Sequence, residues 1–227
     1  MAWTDWIEGD AEVEPSLYAA DFARLGEQIE ALVAAGARIF HFDVGDGHFI
    51  PPVTIGPVVL RSIASLVHDA GGVFDCHLMV TDPAHHFPEL AASGGDSVTF
   101  HVEAADDPAG VAAAAREHGL GVGIAFNPST SPEAAAAFAA SASADIVLCM
   151  SIWPGYSGQE FMPEALGRVA RLAELVSCPI QVDGGVGESN AGAVRDAGAR
   201  LLVAGSAIFI DPDPAAAFRR IAAAATT

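Results

Sequence analysis

The chain reads as a single (β/α)8 barrel, and three observations predict it. Strand-like and helix-like stretches alternate from end to end, in roughly eight pairs joined by short connections. The strand-like stretches are near-continuous apolar runs, as in parallel sheets buried on both faces. The length of 227 residues suits one barrel domain over 1–227. A doubly wound open sheet is the structural alternative, but no GxGxxG follows the first strand.

The elements follow in order. Val13–Tyr18 reads as the first strand and Asp21–Ala35 as a helix with Asp21 as its N-cap. Arg38–Val44 is the second strand and Gly56–Asp69 the next helix; Val73–Val80 is the third strand. Thr81-Asp82-Pro83 supplies a cap and a first-turn proline for the helix through Ala92. Ser97–Glu103 is the fourth strand, backed by helix Asp107–His118, and Gly121–Phe126 is the fifth. The alanine run after Pro132 is a helix, since alanine is the best helix former. Asp145–Ile152, Pro179–Asp183 and Arg200–Ala204 complete the strands; helices Pro163–Val176, Glu188–Ala197 and Pro212–Ala225 follow them.

Composition removes several function classes. The formal net charge is −19, which argues against nucleic acid and anionic membranes as partners. All ten basic residues are arginine, so lysine Schiff-base chemistry and a P-loop lysine are excluded. The lysine-free, acidic composition reads as compositional bias, with salt adaptation as the other account. Cys76, Cys149 and Cys178 have no regular spacing and read as buried small apolar residues. No apolar run is long enough to span a membrane. The start, Met1-Ala2-Trp3-Thr4-Asp5-Trp6, lacks the pattern of a signal peptide, so a cytoplasmic location is expected.

The chemistry-bearing residues cluster at strand ends. His41 and Asp43 are two apart, so they share one strand face. His77 and Asp183 end two further apolar strands. These four are read as meeting around one divalent metal ion. Two imidazoles and two carboxylates suit zinc, iron, manganese or cobalt; zinc is the first choice, with magnesium also admitted. Asp43 and Asp183, on the second and seventh strands, are read as a general base and a general acid on opposite sides of a bound carbon. His101 is read as a core residue, a support behind the ligands or a substrate contact; His48, His85 and His86 are read as loop or helix-face residues.

An anion site is read at three consecutive strand ends: Pro154-Gly155-Tyr156-Ser157-Gly158-Gln159, Asp183-Gly184-Gly185 and Ala204-Gly205-Ser206. Glycines there expose backbone N–H groups to a phosphate, and phosphate sites after the last strands recur in barrels. A phosphate can thus be held without a lysine.

Together these segments resemble the ribulose-phosphate 3-epimerase family. Pro15-Ser16-Leu17, Ala20-Asp21-Phe22, His41-Phe42-Asp43, Asp46-Gly47-His48-Phe49, His77-Leu78-Met79-Val80 and His101-Val102-Glu103 carry the resemblance. So do Asn127-Pro128, Met150-Ser151, Pro154-Gly155, Gly158-Gln159, Asp183-Gly184-Gly185-Val186 and Ala204-Gly205-Ser206-Ala207. The resemblance implies a barrel of the ribulose-phosphate-binding type that interconverts D-ribulose 5-phosphate and D-xylulose 5-phosphate at C3, in the pentose phosphate pathway. It implies a metal held by His41, Asp43, His77 and Asp183, with the two aspartates as acid/base pair. Ser16 and His77 would contact substrate, and Met79 and Met150 would line the pocket. Gly155, Tyr156, Ser157, Gly158, Gly184, Gly185, Gly205 and Ser206 would hold the phosphate. A homo-oligomer is also implied.

Five positions depart from the family pattern: Tyr18, Gly45, Pro52, Trp153 and Ser157. Gly45 stands where methionine is usual, so open space beside the substrate carbons is expected. These departures leave allulose 6-phosphate or a tetrulose phosphate as alternative substrates. A metal-dependent aldolase or lyase and a non-catalytic sugar-phosphate binding barrel are the other classes.

Overall fold

The structure is a computed structural model that describes Thr4, Ile7 and residues 9–226. The N-terminal segment read for a leader lies, Thr4 apart, outside the described residues.

Eight parallel strands alternate with helices and form one (β/α)8 barrel. They are β1 (Glu12–Pro15), β2 (Ile39–Gly45), β3 (Val73–Met79), β4 (Ser97–His101), β5 (Gly121–Phe126), β6 (Ile146–Met150), β7 (Ile180–Asp183) and β8 (Leu201–Ala204). The helices are α1 (Leu25–Ala35), α2 (Pro57–His68), α3 (Pro83–Ala92), α4 (Pro108–Glu117), α5 (Pro132–Ala142), α6 (Glu164–Ala173), α7 (Ala191–Asp196), α8 (Ser206–Phe209) and α9 (Pro214–Thr226). Seven continuous ladders run from β2 through β8 to β1. One isolated parallel bridge, Ser16 with His41, joins β1 to β2.

Helix starts follow the local chemistry. The Asp82, Asp107 and Ser131 side chains accept N–H groups of the first turns of α3, α4 and α5, each with proline next in sequence. On α2, Leu60, Ile63 and Val67 fall at helical spacing and form the buried stripe.

Four sequence expectations shift. Leu17 and Tyr18, expected in the first strand, lie in a 3-10 turn, Leu17–Ala19. Asp21 caps a 3-10 turn, Phe22–Arg24, and accepts the Ala23 N–H at 3.0 Å; the α-helix begins only at Leu25. Glu103, expected in the fourth strand, lies in the 3-10 turn Val102–Ala104. Glu188–Asn190, expected in a helix, precedes α7. There the Asn190 side chain accepts from Gly187 N–H at 2.9 Å and donates to the Gly185 carbonyl at 3.0 Å.

Strand alternation divides the interior into two chemistries. Phe40, Phe42, Phe74, Phe100 and Phe126 are fully buried among the apolar residues packed under the helices. Ile39, Val73, Ile146 and Leu201 form a separate apolar cluster. Another buried layer is polar. Gln181 Nε2 donates to Glu14 Oε2 at 2.7 Å and to Asp75 Oδ2 at 2.8 Å. Asp75 also accepts from Ser97 Oγ at 2.7 Å and Thr99 Oγ1 at 3.2 Å. Burial pushes Glu14 up to about 7 despite its contacts with His41 and Gln181.

Gly123 on β5 makes room for this layer. A Cβ there would collide with Thr99 Oγ1 and come within 2.9 Å of Ile146 Cγ1. Gly123→Ala should therefore cost about 1–3 kcal/mol by overpacking, read by urea unfolding. A loss within experimental error would show that Thr99 moves aside freely.

Candidate metal centre and active site

The site is built at the C-terminal ends of the strands. Alternation on β2 turns His41 and Asp43 to one face, and β3 and β7 bring His77 and Asp183 to meet them. The four residues each offer a ligand atom, and these atoms lie within 4.8 Å of one another. His41 Nε2 is 3.3 Å from Asp43 Oδ1 and 4.0 Å from Asp183 Oδ2. His77 Nδ1 is 3.2 Å from Asp43 Oδ1 and 3.7 Å from Asp183 Oδ2. Ser16 Oγ donates to Asp43 Oδ2 at 2.7 Å.

The donor set fits a divalent metal ion. Both His41 nitrogens are buried and make no hydrogen bond, an arrangement that costs free energy unless another group satisfies them. Nε2 faces the two aspartates, while Nδ1 faces Glu14 Oε2 at 3.6 Å and Asp75 Oδ2 at 3.5 Å. Two imidazoles and two carboxylates around one point match the preferences of borderline divalent metals. A carboxylate behind a ligating histidine is the usual support for such a centre.

Charge separates the two aspartates. Burial alone would raise the Asp43 carboxyl, but the charge and contact of His41, with those of His77, hold it well below the usual carboxylate range. Asp183 is pushed up to about 7, chiefly by burial; His41 opposes this, and the charges of Asp43 and Asp75 add to it. Burial alone would lower His41, yet Asp43, Asp75 and Glu14 together carry it well above the ordinary imidazole value. Burial pushes His101 down to about 4, although its contact with Glu103 opposes the shift.

Beside these residues lies an open cleft. It is lined by Ser16, Asp43, Met79, Met150 and Asp183 and by the loops that follow β6, β7 and β8. Gly155, Tyr156, Ser157, Gly158, Gly184, Gly185, Gly205 and Ser206 all border it. His77 is fully buried beneath and does not line it. Gly184 and Gly185 have φ of +117° and +65°, and a Cβ on Gly185 would lie 2.5 Å from the Phe161 nitrogen, so glycine is required there. Ser157 Oγ lies 3.6 Å from where a Gly205 Cβ would stand, so the loops after β6 and β8 converge. No arginine lines the cleft among the described residues.

Several site features escaped sequence reasoning. Ile152 and Val203 also line the cleft, beside Tyr18 and Pro154, which the sequence marks as a departure from the family pattern and as part of the anion loop. The apolar strand ends signalled Ile152 and Val203 only as core. Glu14, Asp75 and Gln181 lie beneath His41, and Glu103 lies behind His101. Gly45 does not open space: a Cβ there would lie 2.6 Å from Ile50 Cδ1 and 3.1 Å from the Pro52 carbonyl and Thr54 Cγ2. The 46–56 loop folds back over Gly45, and Thr54 Oγ1 holds it by donating to the Asp43 carbonyl at 2.6 Å. Cys76 and Cys149 are buried, Cys178 is half-buried, and all three are free thiols.

Comparisons with known proteins identify the family. Residues 12–209 match the model of the "Ribulose-phosphate 3 epimerase family". The ribulose-phosphate 3-epimerase of Escherichia coli (strain K12) is 39% identical over 206 residues, covering 88% of this chain and 90% of that one. That of Mycobacterium bovis is 39% identical over 226 residues, covering 96% of each. Among solved structures, Mycobacterium tuberculosis tryptophan synthase superposes with a TM-score of 0.74 at 22% identity, over 99% of this chain and 97% of that one, a likeness of fold alone. With the family model matched over most of its length, the chain belongs to the ribulose-phosphate 3-epimerase family.

Proposed function

We propose that the protein inverts C3 of a ketose phosphate, D-ribulose 5-phosphate to D-xylulose 5-phosphate, with Asp43 and Asp183 exchanging the proton. The observation that carries this reading is the cluster of two histidines and two aspartates within 4.8 Å beside a glycine-lined cleft.

Each residue has a task set by its surroundings. His41, Asp43, His77 and Asp183 would hold one divalent ion, zinc being the first choice and iron, manganese, cobalt or magnesium the others. When bound, the ion supplies positive charge where negative charge builds up as the C3 proton leaves. Asp43 is held ionised and so is free to take that proton, although the charges that hold it ionised also weaken it as a base. Asp183, raised to about 7, is suited to return a proton to the opposite face. The Ser16 hydroxyl orients Asp43 from one side, through the oxygen that does not face His77. After one turnover the two carboxyls have exchanged roles, and reversal or exchange with solvent resets them. Met79 and Met150 line the cleft and would set apolar, polarizable surface against the reacting carbons.

Backbone N–H groups of Gly155–Gly158, Gly184, Gly185, Gly205 and Ser206 would hold the phosphate. The absence of arginine from the cleft lining and of lysine from the chain favours that arrangement. Membership of the ribulose-phosphate 3-epimerase family favours the pentulose phosphate over allulose 6-phosphate or a tetrulose phosphate. A cytoplasmic, homo-oligomeric enzyme completes the reading. No helix among the described residues is long and apolar enough to cross a membrane. Phe22, Val53 and Val58 are large apolar side chains exposed on the monomer.

Two experiments test this. Incubated with D-ribulose 5-phosphate in D2O, the metal-loaded protein should form xylulose 5-phosphate carrying deuterium at C3. Asp43→Asn and Asp183→Asn should each lose at least about a hundredfold in kcat, the usual scale of general acid–base catalysis. Turnover retained in both variants would remove the two-aspartate mechanism, and release of a free aldehyde would replace it with a lyase. Separately, zinc, cobalt or manganese at a hundred times Kd should stabilise the metal-free protein by about 2.7 kcal/mol. A melting temperature unmoved by all three ions would remove the metal centre.

A further inference from the structure

A second row of polar groups stands behind His77. His77 Nε2 lies 2.9 Å from His101 Nε2, and His101 Nδ1 lies 3.3 Å from Glu103 Oε2. The two rings meet edge to edge, with centroids 5.0 Å apart and planes 23° from parallel, and both residues are fully buried. The other Glu103 oxygen, Oε1, accepts the Asn127 N–H at 2.9 Å and the Thr130 hydroxyl. Glu103 is partly exposed, so the row runs from the loop surface to the buried centre.

A carboxylate stands at each end of the row, Glu103 on His101 and Asp43 on His77, so two neutral rings cannot donate to both; with a cation taking the Asp43 end, donor and acceptor counting fixes every hydrogen. A carboxylate only accepts, so His101 Nδ1 carries a hydrogen. A neutral imidazole has one N–H, so His101 Nε2 offers a lone pair. His77 must then present Nε2–H to it. This leaves the lone pair of His77 on Nδ1, the nitrogen that faces Asp43 Oδ1 at 3.2 Å and Asp183 Oδ2 at 3.7 Å. A lone pair held against carboxylates is repulsive on its own, and it is the nitrogen that a cation there requires.

We infer that Glu103 is a positioning residue of the metal centre: acting through His101, it fixes His77 in the tautomer whose Nδ1 lone pair faces the two aspartates. This deepens the metal-centre reading above and rests on it. Glu103 is neither part of the cleft lining nor one of the four clustered residues. Its effect is transmitted through two rings.

The substitution Glu103→Gln reverses the logic without changing the shape. The amide oxygen keeps the Asn127 and Thr130 contacts, so the amide nitrogen, a donor only, faces His101 Nδ1. His101 must then move its hydrogen to Nε2, and His77 must move its own to Nδ1, where it blocks the ion. Glu103→Ala removes the acceptor but imposes no donor, so His101 keeps its tautomer with a water. The two variants therefore rank oppositely in two measurements. Glu103→Gln should weaken Co2+ and Zn2+ affinity by about 10- to 100-fold, the usual effect of losing a group behind a ligand. Glu103→Ala should weaken it less. In the metal-free proteins the order reverses, because only Glu103→Ala loses the Asn127 and Thr130 contacts and should melt lower.

A purely structural Glu103 gives the other ranking in affinity, with Glu103→Ala the worse variant. Chelator competition measures the affinities, and ring-nitrogen NMR of the zinc-loaded wild type should show His77 protonated at Nε2. Wild-type protein that binds metal equally well as Glu103→Gln, or His77 protonated at Nδ1, overturns the relay alone. Wild-type protein that binds neither ion overturns the relay together with the metal centre.

Discussion

Negative charge buried without a lysine or arginine beside it is the constraint on which this structure turns. Asp43 and Asp183 sit against His41 and His77, and Glu14 and Asp75 lie beneath them on the other edge of His41. An ionised carboxylate in an apolar interior costs several kcal/mol unless it is paired or hydrogen-bonded. The barrel meets this cost with neutral donors: the Gln181 amide shared by Glu14 and Asp75, and the Ser97 and Thr99 hydroxyls on Asp75. Above them, the Ser16 hydroxyl serves Asp43. Neutral donors leave the sum of charge negative, and a divalent ion held by His41, Asp43, His77 and Asp183 would supply the balance. In the proposed enzyme the same imbalance is what draws the metal and sets the two aspartates apart in proton affinity.

The phosphate end of the cleft has the opposite problem, an anion to be held in a protein of net charge −19. The solution suggested by the fold is backbone rather than side chain. Three consecutive strands end in glycines bordering one cleft, and Gly184 and Gly185 take conformations that other residues resist. Acidic side chains on the outer surface are screened over about 8 Å at physiological salt, so they oppose a bound phosphate weakly.

The parts of this architecture that were legible in the sequence are those written in local spacing. His41 and Asp43 share a face because they are two apart, and the glycine loops announce themselves at strand ends. Asp82-Pro83, Asp107-Pro108 and Ser131-Pro132 mark helix starts. What was not legible depends on residues far apart in the chain. Glu14 and Gln181 are 167 positions apart, and nothing near either of them signals the other. Glu14 reads as an ordinary polar residue at the start of a strand until closure of the barrel turns it inward. Gly45 reads as a loss of bulk, whereas Ile50 returns from the following loop to fill the place. The 3-10 turns at Leu17–Ala19 and Val102–Ala104 carry strand-like sequences, and tertiary packing decides their geometry.

Closure of the barrel and assembly of the site are the same event on one side of the molecule. β1 pairs with β8 along its whole length, but it meets β2 through the single bridge of Ser16 with His41. Side chains do the rest of the joining there. Ser16 Oγ bonds Asp43 across the seam, and Glu14 stands against His41 one pair of residues below. Groups proposed for chemistry thus stand where backbone pairing is sparsest, and a metal ion held by His41 and Asp43 on one side and Asp183 on the other would bridge that seam. The strand order β7, β8, β1, β2 spans it. Fixing the ion would stiffen the weakest join of the sheet, which makes metal affinity and barrel stability two readings of one interaction.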